Sequence, residues 1–159
     1  MAFKVDGMQG LIEFFGDMST IPDDIAAEML KAGAEVTKTK MVNAARSKFP
    51  DGTGQMADSI TVGKPKNDHS TIDIYFKGTR KAIIAKSDSG NDTQKRYKRK
   101  AGDIVAVRNA EVAFINEYGA PRKNIAATNF IEKAVNEAAD PAIDAVVKIY
   151  DKHLNKINL

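Results

Sequence analysis

The chain has 159 residues, a formal net charge of +3, an isoelectric point near 9.0 and no cysteine. This length fits one domain, residues 1–159, large enough to remove about two-thirds of the unfolded surface from water. The missing thiols exclude a disulfide scaffold or a thiolate metal site, and the mild basic balance does not by itself establish nucleic-acid binding. The opening residues lack a secretory pattern, and no apolar run approaches the roughly 18 residues of a membrane span. A soluble protein made in the cytoplasm is the expectation.

In chain order, Asp6 is placed to cap a first helix in which Met8, Leu11, Ile12, Phe15 and Met18 recur at helical steps. Gly16, Asp17, Ser19 and Thr20 break it. Pro22, Asp23 and Asp24 then open a second helix, with proline in the first turn and acids at the positive end of the helix dipole. It is predicted to run to Lys48, close to 40 Å at about 1.5 Å per residue. Ile25, Met29, Ala32, Val36 and Ala44 give it a stripe of mostly small residues, suited to close packing.

Residues 49–54 form a dense turn signal. Beyond it, residues 59–62 and 71–76 alternate apolar with polar and predict an antiparallel hairpin across a polar turn at 64–70. Residues 82–85 and 104–107 predict a second, longer hairpin. Between them, residues 87–102 are nearly devoid of apolar side chains and read as a mobile basic loop. Lys95, Arg96, Lys98, Arg99 and Lys100 surround Tyr97 in this loop. Such a block either stays solvated or contacts a polyanion, with the cations on phosphates and the tyrosine on a base.

Asn109 and Gly119 bracket a short helix over 110–118, with Asn109 as N-cap and Val112, Ile115 and Tyr118 on one side. Asn129 and Glu132 resemble a capping box at the head of the last helix. Phe130, Ile131, Ala134, Val135, Ala138, Ala142, Ala145, Val146, Ile149, Tyr150, His153 and Leu154 mark its buried face. Asp140-Pro141 predicts a kink in this helix, or a stop and restart, because proline removes a backbone donor and clashes with the preceding turn. Residues 156–159 are expected to fray. The whole reads as an α+β domain: a small antiparallel sheet of about four strands packed on two long helices, with short N-terminal and connecting helices.

Signals for chemistry are sparse. His69 falls in a polar turn and His153 on a helix face, and neither has a metal-ligand spacing. Residues 88–92 cluster oxygen ligands without the spacing of a calcium loop. Nucleophile-elbow, phosphate-loop and dinucleotide signatures are missing. No cofactor and no metal are expected, and no enzyme. Glu117 stands out as an acid among apolar neighbours, suggesting either an ion pair with Arg122 or Lys123 or an interface contact.

Ala113-Phe114-Ile115-Asn116-Glu117-Tyr118-Gly119, followed by Phe130-Ile131-Glu132-Lys133-Ala134, resembles the paired signature of the tail-component proteins of long-tailed bacteriophages, also called tail-completion or neck proteins. Two further pieces match in order: Val5 to Met8 and on to Leu11, and the run from Thr53 and Gly54 through Ser59 and Ile60 to Val62. The likeness is lost over about 79–107, and Asn129 and Lys133 stand where the family usually has proline. The resemblance implies a non-enzymatic virion protein at the head–tail interface, part of an oligomeric ring with DNA passing through its lumen, in contact with other neck or tail proteins; in such a ring Lys95, Arg96, Tyr97, Lys98, Arg99 and Lys100 would either line the lumen near DNA or contact a neighbouring protein. The family-motif positions are Thr53, Gly54, Ser59, Ile60, Phe114, Glu117, Tyr118, Gly119 and Phe130. The alternative is a small nucleic-acid-binding module acting through residues 95–100.

Overall fold

The computed structural model describes residues 21–50, 52–66, 71–84, 86, 90, 95 and 97–157. The predicted first helix, His69 and most of the oxygen-rich run 88–92 lie outside them. Helix α1 spans Asp23–Lys48 and is followed by a single turn, α2, Gln55–Asp58. Strands β1 (Ile60–Pro65), β2 (Ile72–Phe76), β3 (Thr79–Ile83) and β4 (Ile104–Arg108) come next, then α3 (Asn109–Tyr118), a 3-10 turn at Pro121–Lys123, and α4 (Phe130–Ile157). The fold is α+β, as the patterning predicts.

The four strands divide into two antiparallel ribbons. β1 pairs with β2, Ile60 opposite Phe76 and Val62 opposite Ile74, with an irregularity between Val62 and Pro65. β3 pairs with β4, Thr79 opposite Arg108 through to Ile83 opposite Ile104. The first ribbon buries Ile60, Ile74 and Phe76 in the main core with Met41, Ala45, Met56, Ala57, Ala113, Phe130, Ile131 and Ala134. The isoleucine, methionine and phenylalanine side chains among them contribute roughly 1.5–3 kcal/mol each when fully buried, so this cluster anchors the sheet to the helices. The second ribbon alternates exposed and half-buried positions along both strands, so one of its faces stays open to solvent.

α1 and α4 run antiparallel. Phe49, just past the end of α1, meets Phe130 at the start of α4 edge to face, with ring centroids 5.7 Å apart. At the other end Ile25 and Met29 cluster with Val146, flanked by Ile21, Ile149 and Tyr150. The buried line of α1 includes Gly33, Thr37, Met41 and Ala45, while Ala32, Val36 and Ala44 are only half-buried. The stripe thus lies one residue further on than predicted, because Gly33 is the point of closest approach. A Cβ there would stand 3.2 Å from Val146 Cγ2 and 3.7 Å from the Ala142 carbonyl oxygen.

Three further expectations are corrected. Of the two alternatives at Asp140-Pro141, a kink or a stop and restart, the second is excluded: helix α4 runs through Pro141 as one element. Packing against α1 on both sides of the proline, through Ala134 and Ala138 before it and Val146 after it, outweighs the lost hydrogen bond. Leu154, expected on the buried face, is exposed. Asn109 is the first residue of α3 and not its cap; its side chain is buried and its Nδ2 donates to the Lys77 carbonyl oxygen.

Candidate functional site

The joint between α3 and α4 is where the family-motif residues converge. A helix leaves its last carbonyls and its first N–H groups without intrahelical partners. Here the two helices satisfy each other. The Asn116 carbonyl oxygen accepts from the Thr128 N–H (3.0 Å) and hydroxyl (2.8 Å), and the Glu117 carbonyl oxygen accepts from the Asn129 N–H (3.2 Å). The buried Glu117 carboxylate then accepts from the Ile131 N–H at 2.8 Å and the Glu132 N–H at 3.1 Å. A carboxylate on the first-turn amides of a 28-residue helix also sits at the positive end of its dipole.

This overturns two sequence expectations. The cap of α4 comes from Glu117, thirteen residues before the helix begins at Phe130, and not from Asn129, whose backbone is left-handed at φ 49°. For Glu117, read in the sequence as an ion-pair partner of Arg122 or Lys123 or an interface contact, the hydrogen-bond partners are the Ile131 and Glu132 backbone amides, and the acid forms an internal joint; Arg122 and Lys123 are exposed on the 3-10 turn. Gly119 completes the joint. It has φ 76° and ψ 176°, and a Cβ would fall 2.7 Å from the Ile125 oxygen and 2.8 Å from the Ala127 nitrogen, so only glycine fits. Phe130 opens α4 buried against Phe49.

The remaining motif positions support the first ribbon. Gly54 precedes α2 with φ 74°. The Ser59 hydroxyl donates to the Met56 carbonyl oxygen at 2.7 Å, closing α2, and the Lys77 N–H donates to the Ser59 carbonyl oxygen at 2.8 Å, extending the β1–β2 ladder. Ile60 enters the core, while Thr53 is exposed.

Two groups of large apolar side chains face solvent. On α3, Phe114 (39% exposed) and Tyr118 (56%) lie one turn apart with ring centroids 4.8 Å from each other. Tyr118 was expected beside Val112 and Ile115, but the buried line of α3 is Asn109, Ala113 and Glu117, which turns the two aromatic rings outward. On the second ribbon Ile83 (72% exposed) and Ile104 (66%) are register partners at the end next to the basic segment.

In the basic segment Lys95, Tyr97, Lys98 and Lys100 are exposed, and the Arg99 guanidinium lies over the Tyr97 ring at 5.0 Å; Arg96 lies outside the described residues. Local turns organise it: the Lys98 N–H donates to the Lys95 carbonyl oxygen at 3.0 Å, and the Lys100 N–H to Asp103 Oδ2 at 2.6 Å. An open groove is lined by Gln55, Asp58, Ser59, Thr79, Arg80, Lys81 and Asn109. Its one carboxylate, Asp58, is held by Arg46 at 2.7 Å, so no paired acid and base face each other across it. His153 is half-buried on α4, and among the described residues no group of three or more His, Asp or Glu could hold a metal ion. No helix among them is long and apolar enough to cross a membrane.

Residues 9–119 match the family model HK97-gp10_like, described as "Bacteriophage HK97-gp10, putative tail-component". The matched range includes 79–107, where the motif likeness is lost, and it ends on Gly119 at the joint. No curated protein and no solved structure matches the chain.

Proposed function

This chain belongs to the HK97-gp10-like family of bacteriophage tail components, and from that premise we propose that it completes or joins the tail at the head–tail interface as one subunit of an oligomeric ring. The family match carries this reading. The two exposed apolar groups, Phe114 with Tyr118 and Ile83 with Ile104, support it, because a ring needs one face of each protomer to meet a different face of the next. Rigidity of the Glu117 joint fixes the aromatic pair relative to the α1–α4 layer, so that the angle between neighbours repeats around a ring. In this reading the work is assembly and not catalysis, its place is the virion, and its partners are copies of itself and other neck or tail proteins. Lys95, Arg96, Lys98, Arg99 and Lys100 would meet DNA in the lumen.

Light scattering coupled to size exclusion tests the ring over a concentration series. The reading expects discrete species at integer multiples of 17.3 kDa, formed alone or on addition of purified tails, and depleted by the Phe114→Ser/Tyr118→Ser variant. A protein that stays at 17.3 kDa at every concentration and with tails present contradicts it. A mass that changes only with duplex DNA would favour the nucleic-acid-binding module instead.

A further inference from the structure

The open groove beside β3 is lined by two residues that each bury a polar atom without a hydrogen-bond partner. One atom is the donor Arg80 Nε. The other is the acceptor Asn109 Oδ1, on a buried side chain whose Nδ2 is already committed to the Lys77 carbonyl oxygen. A buried polar atom left unpaired is costly, so a pair of them on one groove calls for an explanation. The Arg80 guanidinium also has no ion pair among the described residues, and Lys81 stands exposed beside it. Asp58, the acid on the groove, is held by Arg46 at 2.7 Å, which leaves Arg80 and Lys81 as an uncompensated positive pair.

The backbone of β3 is as open as its side chains. At one end the Gly78 carbonyl oxygen accepts from the Asn109 N–H, at the other the Ile84 N–H donates to the Asp103 carbonyl oxygen, and the register between them is unbroken. Bonded residues alternate in an antiparallel pair, so Arg80 and Ala82 also turn their main-chain groups towards β4, while Thr79, Lys81 and Ile83 turn theirs away. The two ribbons are separate sheets, so among the described residues β3 has no strand on that second side. Thr79 and Lys81 both line the groove. An unpaired edge of this kind is a template for an added strand.

We propose that the groove is a docking site for an extended acidic segment of a partner protein, which pairs with the free edge of β3 at Thr79 and Lys81 and sets a carboxylate on the Arg80 guanidinium. Such a segment brings both kinds of group that the groove leaves wanting. Its carboxylate accepts from the guanidinium fork, and a peptide N–H donates to Asn109 Oδ1. A DNA phosphate offers acceptors only and would leave Asn109 Oδ1 as it is, which favours a peptide over a nucleic acid here. Main-chain pairing supplies affinity, and the positive pair supplies the preference for acid. The inference does not rest on the assembly reading, because the partner need not belong to a ring.

A capped peptide of alternating valine and aspartate is the probe, since a carboxylate at every second residue lets it settle in whichever register fits. Titrated into the intact, isotope-labelled chain and followed by nuclear magnetic resonance, it is expected to shift the backbone amides of Thr79 and Lys81 and the Arg80 Nε–H. The valine–asparagine peptide should bind at least about tenfold more weakly, and Arg80→Gln should weaken the acidic peptide by a similar factor. Lys81→Pro removes an outward-facing N–H and spares the bonds to β4, so it should bind at least about tenfold more weakly than Lys81→Gln, which removes only the charge. Circular dichroism checks that each variant is folded; the two-peptide comparison on the unaltered chain needs no variant at all. Unmoved signals at millimolar peptide overturn the proposal, as do equal binding of the two peptides, unchanged affinity in folded Arg80→Gln, or equal affinity in Lys81→Pro and Lys81→Gln. A duplex oligonucleotide that moves the same signals at lower concentration than the peptide also overturns it, and makes the groove a phosphate site.

Discussion

Replacing Glu117 tests the joint at its centre. The carboxylate accepts two backbone N–H bonds, at 2.8 and 3.1 Å, from a site that excludes water. Hydrogen bonds to a charged group are worth about 1.5–3 kcal/mol each, and a buried amide left without a partner costs a similar amount. Glu117→Ala therefore removes at least about 3 kcal/mol, taking the lower value for each bond. Unfolding entropy of about 2.1 cal/mol/K per residue gives about 0.33 kcal/mol/K for a chain of this length, so the expected fall in Tm is about 9 °C. Glu117→Gln discriminates further. It keeps the shape and one acceptor but turns an NH2 group towards a backbone donor, and should cost about 2 kcal/mol. Glu111→Ala, on the exposed side of the same helix, should stay within about 0.5 kcal/mol of wild type. Urea unfolding followed by circular dichroism reads all three. A Glu117→Gln protein as stable as wild type would mean that the side chain only fills space, and the reasoning would fail.

Other outcomes follow from the same geometry. Gly119→Ala places a methyl group within 3 Å of two backbone atoms in a conformation that only glycine adopts easily, so it should destabilise by at least about 3 kcal/mol in the same urea titration. Gly33→Leu drives a side chain into Val146 and the α4 backbone and should cost about 3 kcal/mol, with hydrogen exchange accelerating first in α1 and α4. Changing Lys95, Arg96, Lys98, Arg99 and Lys100 together to glutamine should leave stability within about 0.5 kcal/mol, since surface substitutions rarely exceed that. The same change should abolish retention on duplex DNA at low salt, wild-type affinity falling with log salt at a slope no steeper than about −4.5 for five phosphate contacts.

What could be read in the sequence was whatever depends on local periodicity. The long α1, both strand pairs and the α4 run are each visible because apolar residues repeat along one element. Non-local geometry stayed hidden. Glu117 was noticeable as an acid among apolar residues, but nothing in its spacing says that its carboxylate reaches the first turn of a helix fourteen residues on. Asn109 has the identity of a cap, yet a bond to Lys77, thirty-two residues earlier, takes its side chain instead. Pro141 carries a strong local signal for interruption that packing against α1 overrides. Tyr118 reads from the sequence as lying beside Val112 and Ile115, and only the burial of Ala113 and Glu117 shows that the helix presents it, together with Phe114, to solvent. A signal that could have helped is the 113/117 pair itself: a small residue and a carboxylate one turn apart, the carboxylate two residues before an obligatory glycine.

The central claim is that this protein joins heads to tails through a surface that includes the aromatic pair of α3. It is tested most directly by in vitro joining, using heads and tails from a lysate of the phage that encodes it but cannot make it. Purified wild-type protein is expected to convert separate heads and tails into complete particles counted by electron microscopy, while Phe114→Ser/Tyr118→Ser, equally stable in urea, is expected not to. Complete particles forming without the protein, or equally well with the double variant, would contradict the account.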